Sequence, residues 1–166
     1  MNKIMIKDDF LNKDILENIK NKIFDCHETN LFPWYLQDFK GKKGDQQIQL
    51  THVFFNKEGV NSKYFDNLKP ILEKLKIKTL LRIKANVTFK TNKKRIYGYH
   101  TDFETLGRTS IFYLHTTNGP TVFKDGQKVD CVENRMLTFP TNMLHSGSTH
   151  TDNLLRGVIN FNWVKV

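Results

Sequence analysis

Three observations predict an α+β chain that is mainly β. Apolar residues recur at helical spacing between Asp14 and Phe24, and again between Tyr64 and Leu75. From about Ile77 onward, short alternating runs are separated by turn residues, the pattern of an all-β sandwich or barrel. A chain of 166 residues with 39% hydrophobic side chains can fill one interior but is short for two comfortable domains.

The first third should hold the helices. Ile15, Leu16, Ile19, Ile23 and Phe24 fall on one helical face with Asp14 at its start, and Phe10 and Leu11 can pack against it. Asn30 to Tyr35 reads as an aromatic loop or short strand interrupted by Pro33, and Phe39 to Gln47 as a polar loop. Gln47 to Phe55 has β-type composition. In the second helix Leu68, Ile71, Leu72 and Leu75 form the buried stripe, and Pro70 has to sit in the first turn, where a missing N–H costs least. Strands are then expected over Leu80–Lys90, Ile96–His100, Thr109–His115, Thr121–Phe123, Met136–Phe139 and Arg156–Val166. Asn118-Gly-Pro reads as a turn and Lys124-Asp-Gly-Gln as a hairpin connection. With no repeat or linker in view, 1–76 reads as a mostly helical support region and 77–166 as the core of one domain.

The formal charge of +9 admits nucleic acid, an acidic protein or an anionic small molecule as partner. Lys far outnumbers Arg, however, and neither basic segment, Lys40–Lys43 or Lys90–Arg95, is interleaved with the aromatics of a base-stacking surface. The charge therefore reads as a solvated face, with nucleic acid not favoured. No apolar run approaches the roughly 20 residues of a membrane span. The N-terminus turns acidic at Asp8 and Asp9 before a signal-peptide core develops, so a soluble cytoplasmic protein is expected. Cys26 and Cys131 stand far apart without a CxxC and read as reduced thiols.

The chemistry is concentrated in His100, Asp102, His145 and Arg156. Residues two apart on a strand project from one face, so His100 and Asp102 can reach one ion together, and His145 can join them from a distant strand. Two imidazoles and a carboxylate on one octahedral face suit a non-haem Fe(II) and leave three neighbouring positions open. A closed structural zinc site needs a fourth donor, and none has suitable spacing. HxD alone would better fit a surface His–Asp pair; order and context make it specific, with a strand before HxD, a Gly-containing hairpin between, a strand before the second histidine and a further strand beginning at Arg156. His150, in a Ser/Thr-rich loop, reads as solvated, and His115 follows its strand too closely to approach from the far side. His27 and His52 read as structural.

Arg156 opens a segment in which Arg156, Val158, Asn160 and Asn162 alternate with Ile159, Phe161 and Trp163. That is the pattern of a strand with a pocket-lining face and a face packed under helices. A buried arginine there is costly without an anion, and a bound carboxylate would supply one. Asn86 can share the pocket.

HxD…H…R resembles the signature of the Fe(II)/2-oxoglutarate-dependent oxygenases. Arg108-Thr-Ser-Ile-Phe-Tyr-Leu-His resembles a strand of the prolyl-hydroxylase-type members, in which a tyrosine hydroxyl bonds the C5 carboxylate of 2-oxoglutarate; Tyr113 occupies that place, with Thr109 and Ile111 on its face. Asn118-Gly-Pro-Thr-Val-Phe is similar to the family's Gly-Gly-x-x-x-Phe turn and strand, with Pro120 in place of the second glycine. The likeness covers about 77–166, and Phe32-Pro-Trp34 and Leu50-Thr-His52 resemble small phage-encoded members, which would place the protein in a host cytoplasm.

The resemblance implies a double-stranded β-helix, or jelly roll, with N-terminal helices on one sheet. It implies Fe(II) on His100, Asp102 and His145, and 2-oxoglutarate held by Arg156 with Tyr113 and Thr109. O2 is then consumed as succinate and CO2 form and a second substrate is hydroxylated, with ascorbate a possible reductant. The expected substrate is a protein or peptide residue such as proline. The nucleic-acid demethylases carry Arg-x-Asn-x-Thr-x-Arg, and Arg156-Gly-Val-Ile-Asn-Phe-Asn lacks the second arginine. The alternatives are nucleobase oxidation by the same chemistry and a non-catalytic jelly-roll binding module.

Overall fold

The computed structural model describes residues 4–24, 31–38, 48–104 and 106–164. Its elements in chain order are β1 (Met5–Lys7), α1 (Lys13–Phe24), β2 (Tyr35–Asp38), β3 (Ile48–Asn56), β4 (Gly59–Val60), a 3-10 turn (Phe65–Leu68), α2 (Lys69–Leu75), β5 (Thr79–Phe89), β6 (Arg108–Tyr113), β7 (Thr117–Phe123), β8 (Lys128–Cys131), β9 (Met136–Pro140), β10 (His145–Ser146) and β11 (Leu155–Val164). A large antiparallel sheet runs β1-β9-β6-β11-β5-β3-β2, with β4 folded back on β3, and a small one runs β10-β7-β8.

The two sheets face each other across a core of Ile111, Tyr113, Phe123, Val129, Leu137, Phe139 and Val158. A second core lies on the outer face of the large sheet, where Leu16, Ile19 and Ile23 of α1 and Ile71 of α2 cover Ile83, Ala85, Phe112, Ile159 and Phe161. The helices thus pack on one sheet of a jelly roll, as the sequence predicts. Contact there is close: a Cβ on Gly157 would come within 2.8 Å of Phe24 Cζ and 3.1 Å of His115 Nδ1. Among the described residues no helix is long and apolar enough to cross a membrane.

Four expectations are corrected. The region 1–76 is not mostly helical, because it also supplies β1 to β4 of the large sheet. The second helix is split at Pro70, which lies at the start of α2; its ring and missing N–H deny a continuous ladder, so the preceding turn winds as 3-10. Ile96–His100 is no strand but two isolated bridges, Ile96 to Ser148 and His100 to His145. Four residue steps on one side face three on the other, so no regular ladder can connect them. Asn118-Gly-Pro is not a turn; it lies inside β7, where the register against β8 shifts between Thr117 and Thr121. Proline and glycine mark an irregular strand there. The Lys124–Gln127 hairpin forms as read, with Phe123 N–H donating to Gln127 O at 2.9 Å and Gly126 at φ +93°. The expected loop over Phe39–Gln47, and Cys26 and His27, lie outside the described residues. Cys131 is a buried free thiol.

Candidate metal centre

The ends of two irregular segments bring the predicted donors together. His100 and His145 exchange both backbone hydrogen bonds, each N–H donating to the other's carbonyl at 3.0 Å, which sets the rings 4.6 Å apart. Asp102 follows, its N–H donating to Thr141 O at 3.2 Å. One ligand atom from each of His100, Asp102 and His145 lies within 4.8 Å of the others, and this is the one such group among the described residues. His100 is exposed, whereas the side chains of Asp102 and His145 are enclosed.

Protonation and orientation suit a cation. Nδ1 of His145 pairs with Met143 O at 2.9 Å and Nδ1 of His100 with Gly98 O at 3.2 Å, which makes Nδ1 the protonated nitrogen and leaves the Nε2 lone pair for a ligand bond. His145 Nε2 already stands 3.9 Å from Asp102 Oδ2. Burial holds His145 below the usual histidine range, with Asp102 opposing, so the ring is neutral. Burial raises the Asp102 carboxyl, but His145, the Thr109 hydroxyl, Arg82 and Asn162 outweigh it and hold it below the usual range. Its Oδ2 accepts from Thr109 Oγ1 at 2.7 Å and Asn162 Nδ2 at 3.0 Å, and its Oδ1 from Arg82 Nη2 at 3.2 Å. A neutral His145 imidazole, an ionised Asp102 carboxylate and a His100 ring with Nε2 turned free of the Gly98 carbonyl are donors that suit Fe(II), so these residues fit that ion.

The centre opens on a cavity of about 550 Å³ lined by Arg156, Thr88, Asn86, Lys84, Asn160 and Tyr99, among others. Arg156 is 6% exposed; its Nε donates to Gly119 O at 3.0 Å and its Nη2 to Thr121 Oγ1 at 3.5 Å. No acid among the described residues pairs with it. Thr88, its partner in register on β5, has a buried Oγ1 without a hydrogen-bond partner, and so does the Oδ1 of Asn160. A buried cation beside an orphaned hydroxyl is a site short of an anion, and the carboxylate of a 2-oxo acid fits that lack.

Other sequence expectations fall out differently. Tyr113 is fully buried beneath the Arg156 guanidinium, 5.7 Å from ring centroid to Cζ, and its hydroxyl bonds Thr121 Oγ1 at 2.7 Å. Burial pushes that phenol well above the usual tyrosine range. Thr109, expected with the cosubstrate, instead sits on the Asp102 carboxylate, because its place on β6 falls opposite Asn162. His150 is not solvated; it is fully buried, and a Cβ on Gly119 would touch it at 3.0 Å. His115 accepts the Gly157 N–H on Nδ1 at 3.1 Å, and His52 lies between Pro33 O and Ser62 Oγ, each at 2.7 Å. Sequence reasoning gave no role to Arg82, although the alternation Arg82, Lys84, Asn86, Thr88 against Ile83, Ala85, Val87 marks the polar face of β5.

No protein-family model and no curated protein matches the sequence. Solved structures do. The chain superposes on a 2OG-Fe(II) oxygenase family oxidoreductase from Burkholderia pseudomallei with a TM-score of 0.71 and 12% identity, covering 96% of this chain and 84% of that one. A prolyl hydroxylase from Trichoplax adhaerens, in complex with a hypoxia inducible factor oxygen degradation domain peptide, gives 0.68 and 11%, covering 98% and 84%. A viral collagen prolyl hydroxylase from Paramecium Bursaria Chlorella virus-1, in complex with 2OG, gives 0.64 and 12%, covering 98% and 96%. The likeness therefore spans 96% or more of the chain rather than its second half alone, and the protein has the double-stranded β-helix fold of the 2-oxoglutarate/Fe(II) oxygenases.

Proposed function

We propose that the protein is an Fe(II)- and 2-oxoglutarate-dependent dioxygenase that hydroxylates a peptidyl residue such as proline. One observation carries the reading: three converging donors and a buried, unneutralised arginine share one cavity. When bound, the metal supplies O2 activation coupled to conversion of 2-oxoglutarate to succinate and CO2.

The chain's own residues then bind, orient and shield. His100, Asp102 and His145 would hold the ion beside the cavity that they line. Thr109, Asn162 and Arg82 fix the rotamer of Asp102, so that one carboxylate geometry is presented. Arg156 grips the distal carboxylate, with Thr88 and Thr121 beside it to donate hydroxyl bonds, while Tyr113 keeps Thr121 in place from below. Phe139 and Phe123 pack around His145 and exclude water from its inner edge. The peptidyl assignment rests on the Tyr113 strand and on the prolyl hydroxylases among the structures with this fold.

The test is succinate formation from 2-oxoglutarate by purified protein with Fe(II) and ascorbate, beside a His100→Ala, Asp102→Ala double variant. Turnover in the first and none in the second is expected, rising when prolyl peptides are added. Equal background in both, together with no calorimetric binding of 2-oxoglutarate, would leave a jelly-roll binding module instead.

A further inference from the structure

Of the basic side chains that line the cavity, Arg156 faces the cosubstrate and Arg82 holds Asp102, which leaves Lys84 without a role. Among the cavity's described lining residues Arg82, Lys84 and Arg156 are basic and Asp102 alone is acidic. A divalent ion, the dianionic cosubstrate, Asp102 and Arg156 cancel one another, which leaves two positive charges on the wall of β5. Arg82 is occupied: its Nη2 is on Asp102, its Nε donates to Asn162 Oδ1 at 3.0 Å, and its guanidinium lies over Phe103. Lys84 is not. Its Nζ donates to the neutral Gln37 Oε1 at 2.8 Å, and no acid among the described residues pairs with it. Half-burial and the neighbouring Arg82 both disfavour its charge, with Asp102 only partly opposing.

Around Lys84 the wall is built of amides. Gln37, Gln49 and Asn86 extend across β2, β3 and β5, and Asn160 lies opposite Lys84 in register. Each amide is both donor and acceptor, the chemistry that matches a peptide backbone. A nucleic acid would need stacking faces along this wall, and Tyr99 at the rim is already covered by Lys124 Nζ, 5.1 Å from its centroid.

We infer that the prime substrate is an acidic peptide, in which Asp or Glu next to the oxidised residue is held by Lys84 while the amide wall pairs with its backbone. This inference rests on the dioxygenase reading. A Lys–carboxylate pair that forms only in the complex discriminates charge at long range and is weakened by salt.

The experiment uses the Fe(II)- and 2-oxoglutarate-loaded enzyme and three peptide pools of equal length, with a central proline flanked by Asp and Glu, by Asn and Gln, or by Lys and Arg. Succinate formation should be stimulated about tenfold more by the acidic pool than by the neutral one, and least by the basic pool. The advantage should appear in KM and shrink as salt is raised. Lys84→Glu should reverse the order of the acidic and basic pools. A neutral or basic pool as effective as the acidic one, or an acidic preference that survives Lys84→Glu, overturns the inference. So does stimulation by single-stranded oligothymidylate rather than by any peptide. If 2-oxoglutarate binds and uncoupled succinate forms but no pool stimulates it, the acidic-peptide inference fails and the dioxygenase reading stands. If 2-oxoglutarate does not bind at all, both fail.

Discussion

On its outer face the large sheet presents Ile83, Ala85, Phe112, Ile159 and Phe161 to the helices. One residue along the same strands, its inner face presents Arg82, Lys84, Asn86, Asn160 and Arg156 to the cavity. The backbone pairing is shared, since Asn160 bonds between Lys84 and Ile111 in the ladder in which Phe161 bonds between Ile83 and Ser110. Only the side chains differ. The outer face gains free energy by removing apolar area from water, whereas the inner face holds two orphaned polar atoms and a buried cation that a purely structural wall would avoid. Stability should therefore follow one set of positions and chemistry the other.

Five substitutions, the last read by acid titration, can break or sharpen that division. The largest effect is expected from His100→Ala, which should bring succinate formation to background while shifting unfolding free energy by no more than about 0.5 kcal/mol, because the ring is exposed. Phe161→Ala should do the reverse, costing about 3–5 kcal/mol in denaturant unfolding with 2-oxoglutarate affinity unchanged at temperatures where the protein remains folded. Equal losses of stability in these two variants would end the separation of faces. Arg156→Ala should weaken calorimetric 2-oxoglutarate binding by roughly ten- to hundredfold, the loss expected for charge-assisted hydrogen bonds; unchanged affinity would show that the anion grip lies elsewhere. Thr109→Val should lower metal affinity by about tenfold by removing the shorter of the two hydrogen bonds on Oδ2 of Asp102, with a smaller effect on 2-oxoglutarate.

The titration is the mildest test. Burial depresses His52, His115, His145 and His150, and His115 is brought down to about 4. Below about pH 6.5 the unfolded chain takes up protons that the folded one refuses. Stability present above that pH should therefore decline as pH falls towards 4. His115→Asn, whose Oδ1 can accept the Gly157 N–H, should flatten the decline in acid melting curves.

The strand β11 was legible because a period of two, with Arg156 and Asn160 on one side and Ile159 and Phe161 on the other, encodes both faces in adjacent letters. Helix α1 was legible for the equivalent reason at a period of 3.6. His100, Asp102 and His145 could be named because metal ligation restricts residue type so strongly. What escaped depends on pairing between distant segments. Nothing in Ile96–His100 announces that its partner is one residue shorter, and Gly119-Pro120 looks the same in a turn as in an irregular strand. The burial of His150 and the capture of Thr109 by Asp102 are likewise set by what the chain brings against them. Arg82 was within reach, since β5 alternates as cleanly as β11.

Gly157 follows Arg156 on β11, with no room for a methyl group between the strand, Phe24 of α1 and His115. Any larger residue must lift the helix or tilt the strand, and the guanidinium next door would travel with it. A random mutagenesis screen scored on 2-oxoglutarate consumption should thus return hits at this helix contact, outside the cavity, and they would masquerade as binding-site lesions although every polar group of the pocket is still present.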